Sequence, residues 1–151
     1  MSTIRKPSEW IIEALTDAGI PYTVLPDAHA ARTRTVVNER YAVPGETPLW
    51  ERFSDCRSVY DPLAWSKIDG LIAEDSYLLF FDDTEDTSLI LLQKGVSLSK
   101  VLAACPGFEF YVTDEEISYV LALNHHDCLL GIGTVQNSHL FRGSQAHASA
   151  P

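Results

Sequence analysis

Cations are scarce in this sequence. The 151 residues include 11 Lys+Arg against 21 Asp+Glu, a formal net charge of −10. A chain so poor in cations is not built to neutralise phosphates, so nucleic acid is not an expected partner. Long hydrophobic runs are missing too. The longest, among them Tyr77–Phe81 and Tyr119–Leu123, have five residues each, against the roughly 20 that span a bilayer. No membrane partner is therefore expected. After Arg5 and Lys6 come Glu9, Glu13 and Asp17 rather than the apolar core of a signal peptide, which points to the cytoplasm. The three cysteines, Cys56, Cys105 and Cys128, are widely spaced and form no CxxC pair. They read as reduced core thiols rather than a disulfide framework or a zinc site, and no cofactor or metal is expected.

What is present suffices for one core: 46% of the residues are hydrophobic and 10% aromatic. Residues 1–142 read as a single α+β domain, and the small, polar tail 143–151 reads as disordered. Ser8 is placed to cap a first helix with Ile11, Ala14, Leu15 and Ala18 on one stripe, ended by Gly19 and Pro21. Tyr22–Leu25 suggests a short strand, and Ala28–Tyr41 reads only as weak helix or loop. Thr47-Pro48 and Asp61-Pro62 each look like a helix start. Leu49, Phe53 and Cys56 form the stripe of the first, and Ala64, Ile68, Leu71 and Ile72 that of the second.

From Ser76 onward the pattern changes to strands. Tyr77–Asp82 and Ser88–Gln93 read as a hairpin that is apolar on both faces, hence mid-sheet with cover on each side. Ser97 caps an inserted helix carrying Leu98, Val101, Leu102 and Cys105. Phe108–Val112, Ile117–Leu123 and Cys128–Val135 then form an antiparallel meander. The expected architecture is N-terminal helices packed on a C-terminal antiparallel sheet of about five strands. Gly131 and Gly133 share one bare strand face, suited to close approach by another element or to pairing with a second copy.

Charge is unevenly divided. Residues 1–60 hold 7 Lys+Arg and 8 Asp+Glu, whereas residues 61–151 hold 4 and 13. The acids concentrate in two hairpin links, Asp82, Asp83, Glu85 and Asp86 in one and Asp114, Glu115 and Glu116 in the other. If both links lie at one end of the sheet they make a single acidic surface for a basic protein. The first link lacks the spacing and central glycine of a calcium loop.

The sharpest chemical cluster is Asn124-His125-His126-Asp127. Two imidazoles beside a carboxylate suit acid/base chemistry or a metal. Consecutive strand residues point to opposite faces, so a hairpin turn braced by Asn124 and Asp127 is the plainer reading. His125, His126 and Asp127 are thus candidates only. The cysteines lack a catalytic signature, and no Gly-x-Ser-x-Gly elbow is present. Trp10, Trp50 and Trp65 read as core residues or, where exposed, as recognition anchors.

The segment Phe108-Glu109-Phe110-Tyr111-Val112, Ile117–Leu123 and Asn124-His125-His126-Asp127-Cys128-Leu129-Leu130-Gly131-Ile132-Gly133 resembles a family of small bacterial proteins of unknown function. Leu49-Trp50-Glu51 is a weaker upstream echo. That resemblance implies no activity. In size and charge the chain is also similar to immunity proteins of bacterial polymorphic toxin systems. The expectation is therefore a non-enzymatic binding protein that neutralises a basic toxin domain, with a small metal-dependent or acid/base hydrolase as the alternative.

Overall fold

The computed structural model describes residues 5–72, 74–141 and 146–147. Its α+β architecture is organised by one mixed-length antiparallel sheet of eight strands. The strands are β1 (Tyr22–Val24), β2 (Cys56–Tyr60), β3 (Tyr77–Phe80), β4 (Leu89–Leu92), β5 (Phe110–Asp114), β6 (Tyr119–Leu123), β7 (Cys128–Gly133) and β8 (Ala146–His147), in the spatial order β1-β4-β3-β5-β6-β7-β2-β8. The hairpin β3–β4 and the meander β5–β6–β7 form as their alternation and polar links dictate. The sheet exceeds the expected five or so strands because β1, β2 and β8 join it, and the Asp61-Pro62 start gives a 3₁₀ turn, Ala64–Ser66, and the single turn Asp69–Ile72 in place of one helix. The Thr47-Pro48 start yields only a 3₁₀ turn, Leu49–Arg52, and the chain then enters β2, which pairs with β7. Leu49, Phe53 and Cys56 do face one core, but a three-residue stripe cannot tell a helix from a turn followed by a strand. Of the tail, residues 143–145 and 148–151 lie outside the described residues, and Ala146–His147 pairs with Cys56–Arg57.

Both faces of the sheet are covered. Helices α1 (Pro7–Asp17), α3 (Asp69–Ile72) and α4 (Leu98–Ala103) pack on one side, where Ile11, Leu15, Ile68, Leu79, Val112 and Leu121 meet. Helix α2 (Asp27–Tyr41) covers the other with Ala30 and Val37, joined by Leu49, Phe53, Phe80 and Tyr111. The burial of alternate strand residues against two helical layers is the principal apolar gain of the fold. Helix α2 is complete over 15 residues. Its arginines are cross-links: Arg34 donates to the carbonyls of Phe81 and Asp86 at 2.5 and 3.0 Å, and Arg40 to those of Glu116 and Ile117.

Local signals differ in how they are used. Ser8 does not cap α1, because Lys6 holds the cap position and Pro7 starts the helix. Ser8 is buried, and its backbone N–H donates to Asp86 Oδ2 at 2.8 Å. Ser97 does cap α4, accepting from Lys100 N, and its hydroxyl also reaches Asp69 Oδ2 at 2.6 Å. Ser97→Ala should therefore cost about 1 kcal/mol, seen as a lower urea midpoint with an unchanged m-value. The bare face of β7 is used as its pattern implies: a Cβ on Gly131 would stand 2.6 Å from the ring of Phe141.

Candidate functional site

The strand register decides which loops meet. Tyr77 pairs with Asp114 and Phe80 with Tyr111, while Phe110 pairs with Leu123 and Tyr60 with Cys128. The link after β3, the start of β5, the β6–β7 turn and the exit of β2 therefore share one end of the sheet. The β5–β6 link lies at the other, where Glu115 accepts a hydrogen bond from the Ser76 hydroxyl. The two acidic links thus occupy opposite ends, and the single surface expected from them does not exist. β4 and β5 both pair antiparallel with β3 and so run parallel to each other; the connection through α4 crosses from one end of the sheet to the other, which puts the β5–β6 link opposite the β3–β4 link.

The seven acids of these links also divide by role. Asp82 accepts from Leu49 N and from the Tyr111 hydroxyl at 3.0–3.1 Å, tying the 3₁₀ turn to β5. Asp86 is only 2% exposed and accepts from Ser8 N and Ser88 N, so it joins α1 to the hairpin and is withdrawn from any partner. Asp114 closes its own turn through Ser118 N and the Ser118 hydroxyl. Asp83, Glu85, Glu115 and Glu116 are exposed. At the β3–β4 end, burial and then the neighbouring carboxylates of Asp82, Glu109 and Asp86 push the Glu85 carboxyl above its usual range. Asp82, Asp83, Glu85, Glu109 and Glu46 line a cleft of about 240 Å³. Arg52 also borders it and places one cation there, its Nε and Nη1 donating to Thr47 O, Asn38 Oδ1 and Val43 O.

The β6–β7 turn is held by Asn124, whose buried Oδ1 accepts from His126 N and Cys128 N at 2.9 and 3.1 Å. Asp127 takes the left-handed conformation with φ 59°, as an aspartate can at modest cost, and its carbonyl accepts from Asp61 N. This is the expected hairpin turn, braced by the Asn124 side chain, with Asp127 contributing through its backbone alone. It brings the two imidazoles together after all, with ring centroids 3.8 Å apart, because neither residue continues the strand. Asp127, however, is not the histidines' partner. His125 Nδ1 lies 2.5 Å from Glu109 Oε2, which also accepts His125 N, while Glu109 Oε1 accepts Trp50 Nε1 at 3.3 Å. The Trp50 ring meets both imidazoles edge-on, at 6.2 and 6.1 Å.

Glu109 is the residue that sequence reasoning missed. The signal available was a lone carboxylate between Phe108 and Phe110 in an otherwise apolar strand approach.

Beside this pair opens a second cleft, of about 450 Å³. Leu102, Phe108, Phe110, Leu123 and Trp65 supply its apolar wall, and Asn124, His125 and Asp127 its polar rim. Its one thiol, Cys105, is pushed up by burial and by Glu13, so it remains protonated near neutrality. No serine, threonine, tyrosine or lysine lines the cleft. A carboxylate-oriented imidazole facing apolar walls can bind a polar group or move a proton, but nothing beside it supplies a covalent nucleophile. Among the described residues, no three His, Cys, Asp or Glu side chains are grouped to hold a metal ion. No helix among them is long and apolar enough to cross a membrane. Comparison with protein-family models, with curated proteins and with solved structures finds no match for this chain.

Proposed function

We propose that the protein is a non-enzymatic binding protein of the cytoplasm that masks a basic protein domain, as an immunity protein masks its toxin. The observation that carries this reading is the crowding of Glu46, Asp82, Asp83, Glu85 and Glu109 around one cleft at one end of the sheet, where burial first and then the neighbouring carboxylates push the Glu85 carboxyl up. Such a surface attracts cations over distance and speeds encounter with a basic partner. Apolar residues are found toward the same end: Tyr60 at the end of β2 is 68% and Leu63 58% exposed, and Trp50 and Trp65 are half-buried. Carboxylates and aromatic residues at one end of the sheet are the composition of a protein interface rather than of a phosphate site.

The test is capture of partners by the tagged protein at low and at high salt, with association rates measured for whatever binds in stoichiometric amount. A basic domain is expected, associating at least about tenfold more slowly in high salt, and more slowly again with Asp83→Asn/Glu85→Gln. A neutral or acidic partner, or rates indifferent to salt and to those substitutions, overturns the reading. One observation favours an acid/base enzyme instead, the His125–Glu109 pair facing a cleft. Turnover abolished by His125→Asn in a protein that still folds would put that reading in place of the first.

A further inference from the structure

We propose that the cleft beside the His125–Glu109 pair is a socket for one arginine side chain of the basic partner, a deepening that rests on the binding reading above. Consider first the hydrogen-bonding character of the rim. Glu109 Oε2 is engaged by both the backbone N–H and Nδ1 of His125, so that carboxylate oxygen is taken up within the turn. Among the described residues the Asp127 carboxylate has no hydrogen-bond or ionic partner, yet its backbone is fixed by the Asn124 turn and by Asp61 N. The rim therefore carries one carboxylate, Asp127, without a partner among the described residues and set on a fixed backbone turn. The group that complements an unpaired carboxylate is a cation that only donates, the ammonium of lysine or the guanidinium of arginine.

The walls decide between these two. Phe108, Phe110 and Trp65 offer aromatic surface, and Leu102 and Leu123 extend it. A weakly hydrated planar guanidinium stacks on such rings and buries its methylene stem against aliphatic neighbours, whereas an ammonium keeps its water. The same chemistry is already used within this fold, where the Arg5 guanidinium carbon lies 4.1 Å from the Trp10 ring centroid and that of Arg34 5.5 Å from the Phe80 ring centroid. A volume of about 450 Å³ falls within the range of sites that enclose a small ligand or an anchoring side chain. An arginine anchored here would place the flanking segment of its chain near the exposed Asp83 and Glu85, so long-range attraction and short-range fit act on one partner.

The socket is tested without the partner. N-acetyl-arginine amide and its neutral isostere N-acetyl-citrulline amide are titrated into the full chain and followed by amide and indole NMR shifts. The arginine compound is expected to shift His125, Asp127, Cys128 and the Trp65 indole and to saturate. The citrulline compound is expected to bind at least about tenfold more weakly. Asp127→Asn keeps a residue at home in the left-handed conformation while removing the charge, and should weaken the arginine compound about tenfold with an unchanged melting temperature. Equal binding of the two compounds, unchanged binding to Asp127→Asn, or shifts confined to Asp83 and Glu85 overturns the socket. A salt-sensitive basic partner captured equally well by Asp127→Asn removes the socket and leaves the binding reading. Selective arginine binding without such a partner does the reverse.

Discussion

Replacing Gly133 by alanine is expected to lower the melting temperature by about 10 °C, a loss of about 3 kcal/mol or more for a chain of this size. Gly133 ends β7 with φ 85° and ψ −147°, a region that side-chain-bearing residues hardly enter. A Cβ there would also run into the carbonyl oxygen of Ser118 and come within 2.8 Å of the Tyr119 Cα. Both atoms belong to backbone, so no rotamer change relieves the contact. Ser118 O is moreover the acceptor for Thr134 N, and Tyr119 is the residue paired with Gly133. The methyl group therefore either strains its own residue or opens the last rung of the β6–β7 ladder. Gly70→Ala is the matched control, since a Cβ at Gly70 meets nothing within 4 Å, and should melt within a degree or two of the parent. Thermal unfolding followed by circular dichroism checks both; a Gly133→Ala protein melting with the parent would contradict this close approach.

The two spaced glycines show what a sequence can convey about such a contact. Their common face and lack of side chains announce that something comes close; the identity of the neighbours, Phe141 for Gly131 and Ser118 for Gly133, depends on three-dimensional pairing. The hairpin, the meander and the Ser97-capped helix were legible because alternation and capping are local and agree with the final packing. Helix α2 was poorly legible because its buried positions Ala30, Thr33 and Val37 are small or polar, and its arginines serve distant carbonyls. Strand β2 was hidden by a short stripe that tertiary pairing reassigned.

At the candidate site, the Asn124–Asp127 turn was readable from its residue types. Its acidic partner was not, since Glu109 lies 16 residues away from His125 and meets it only through the β5–β6 register. The acidic links were counted correctly as sequence, but which carboxylates remain free for a partner depends on backbone donors that only the fold brings near.

Asp86 makes that distinction measurable. Asp86→Asn is expected to cost about 2–3 kcal/mol at neutral pH, because each carboxylate oxygen accepts a separate backbone N–H, Oδ2 from Ser8 and Oδ1 from Ser88, and an amide has only one acceptor. Burial alone would push the Asp86 carboxyl up, but the hydrogen bonds from Ser8 and Ser88 together outweigh it and hold it below the ordinary value of 3.8. A native value below the unfolded one means that the unfolded chain binds the proton first. The stabilisation is then complete above about pH 4 and is lost as pH falls through the native value. Asp69, bound by Ser97 and Ser99, is held down in the same way against its own burial and adds to this acid limb. Urea unfolding from about pH 6 to about pH 2 should therefore show a shallower acid decline for Asp86→Asn than for the parent, with the difference between the proteins shrinking toward low pH. The exposed Asp83→Asn, by contrast, should leave stability within about 0.5 kcal/mol. If Asp86 were a contact for the partner, the order would invert: Asp86→Asn would keep its stability and lose affinity. In the fold described, Asp86 is the tie that holds α1 to the β3–β4 link, and Asp83 and Glu85 are what that tied link presents.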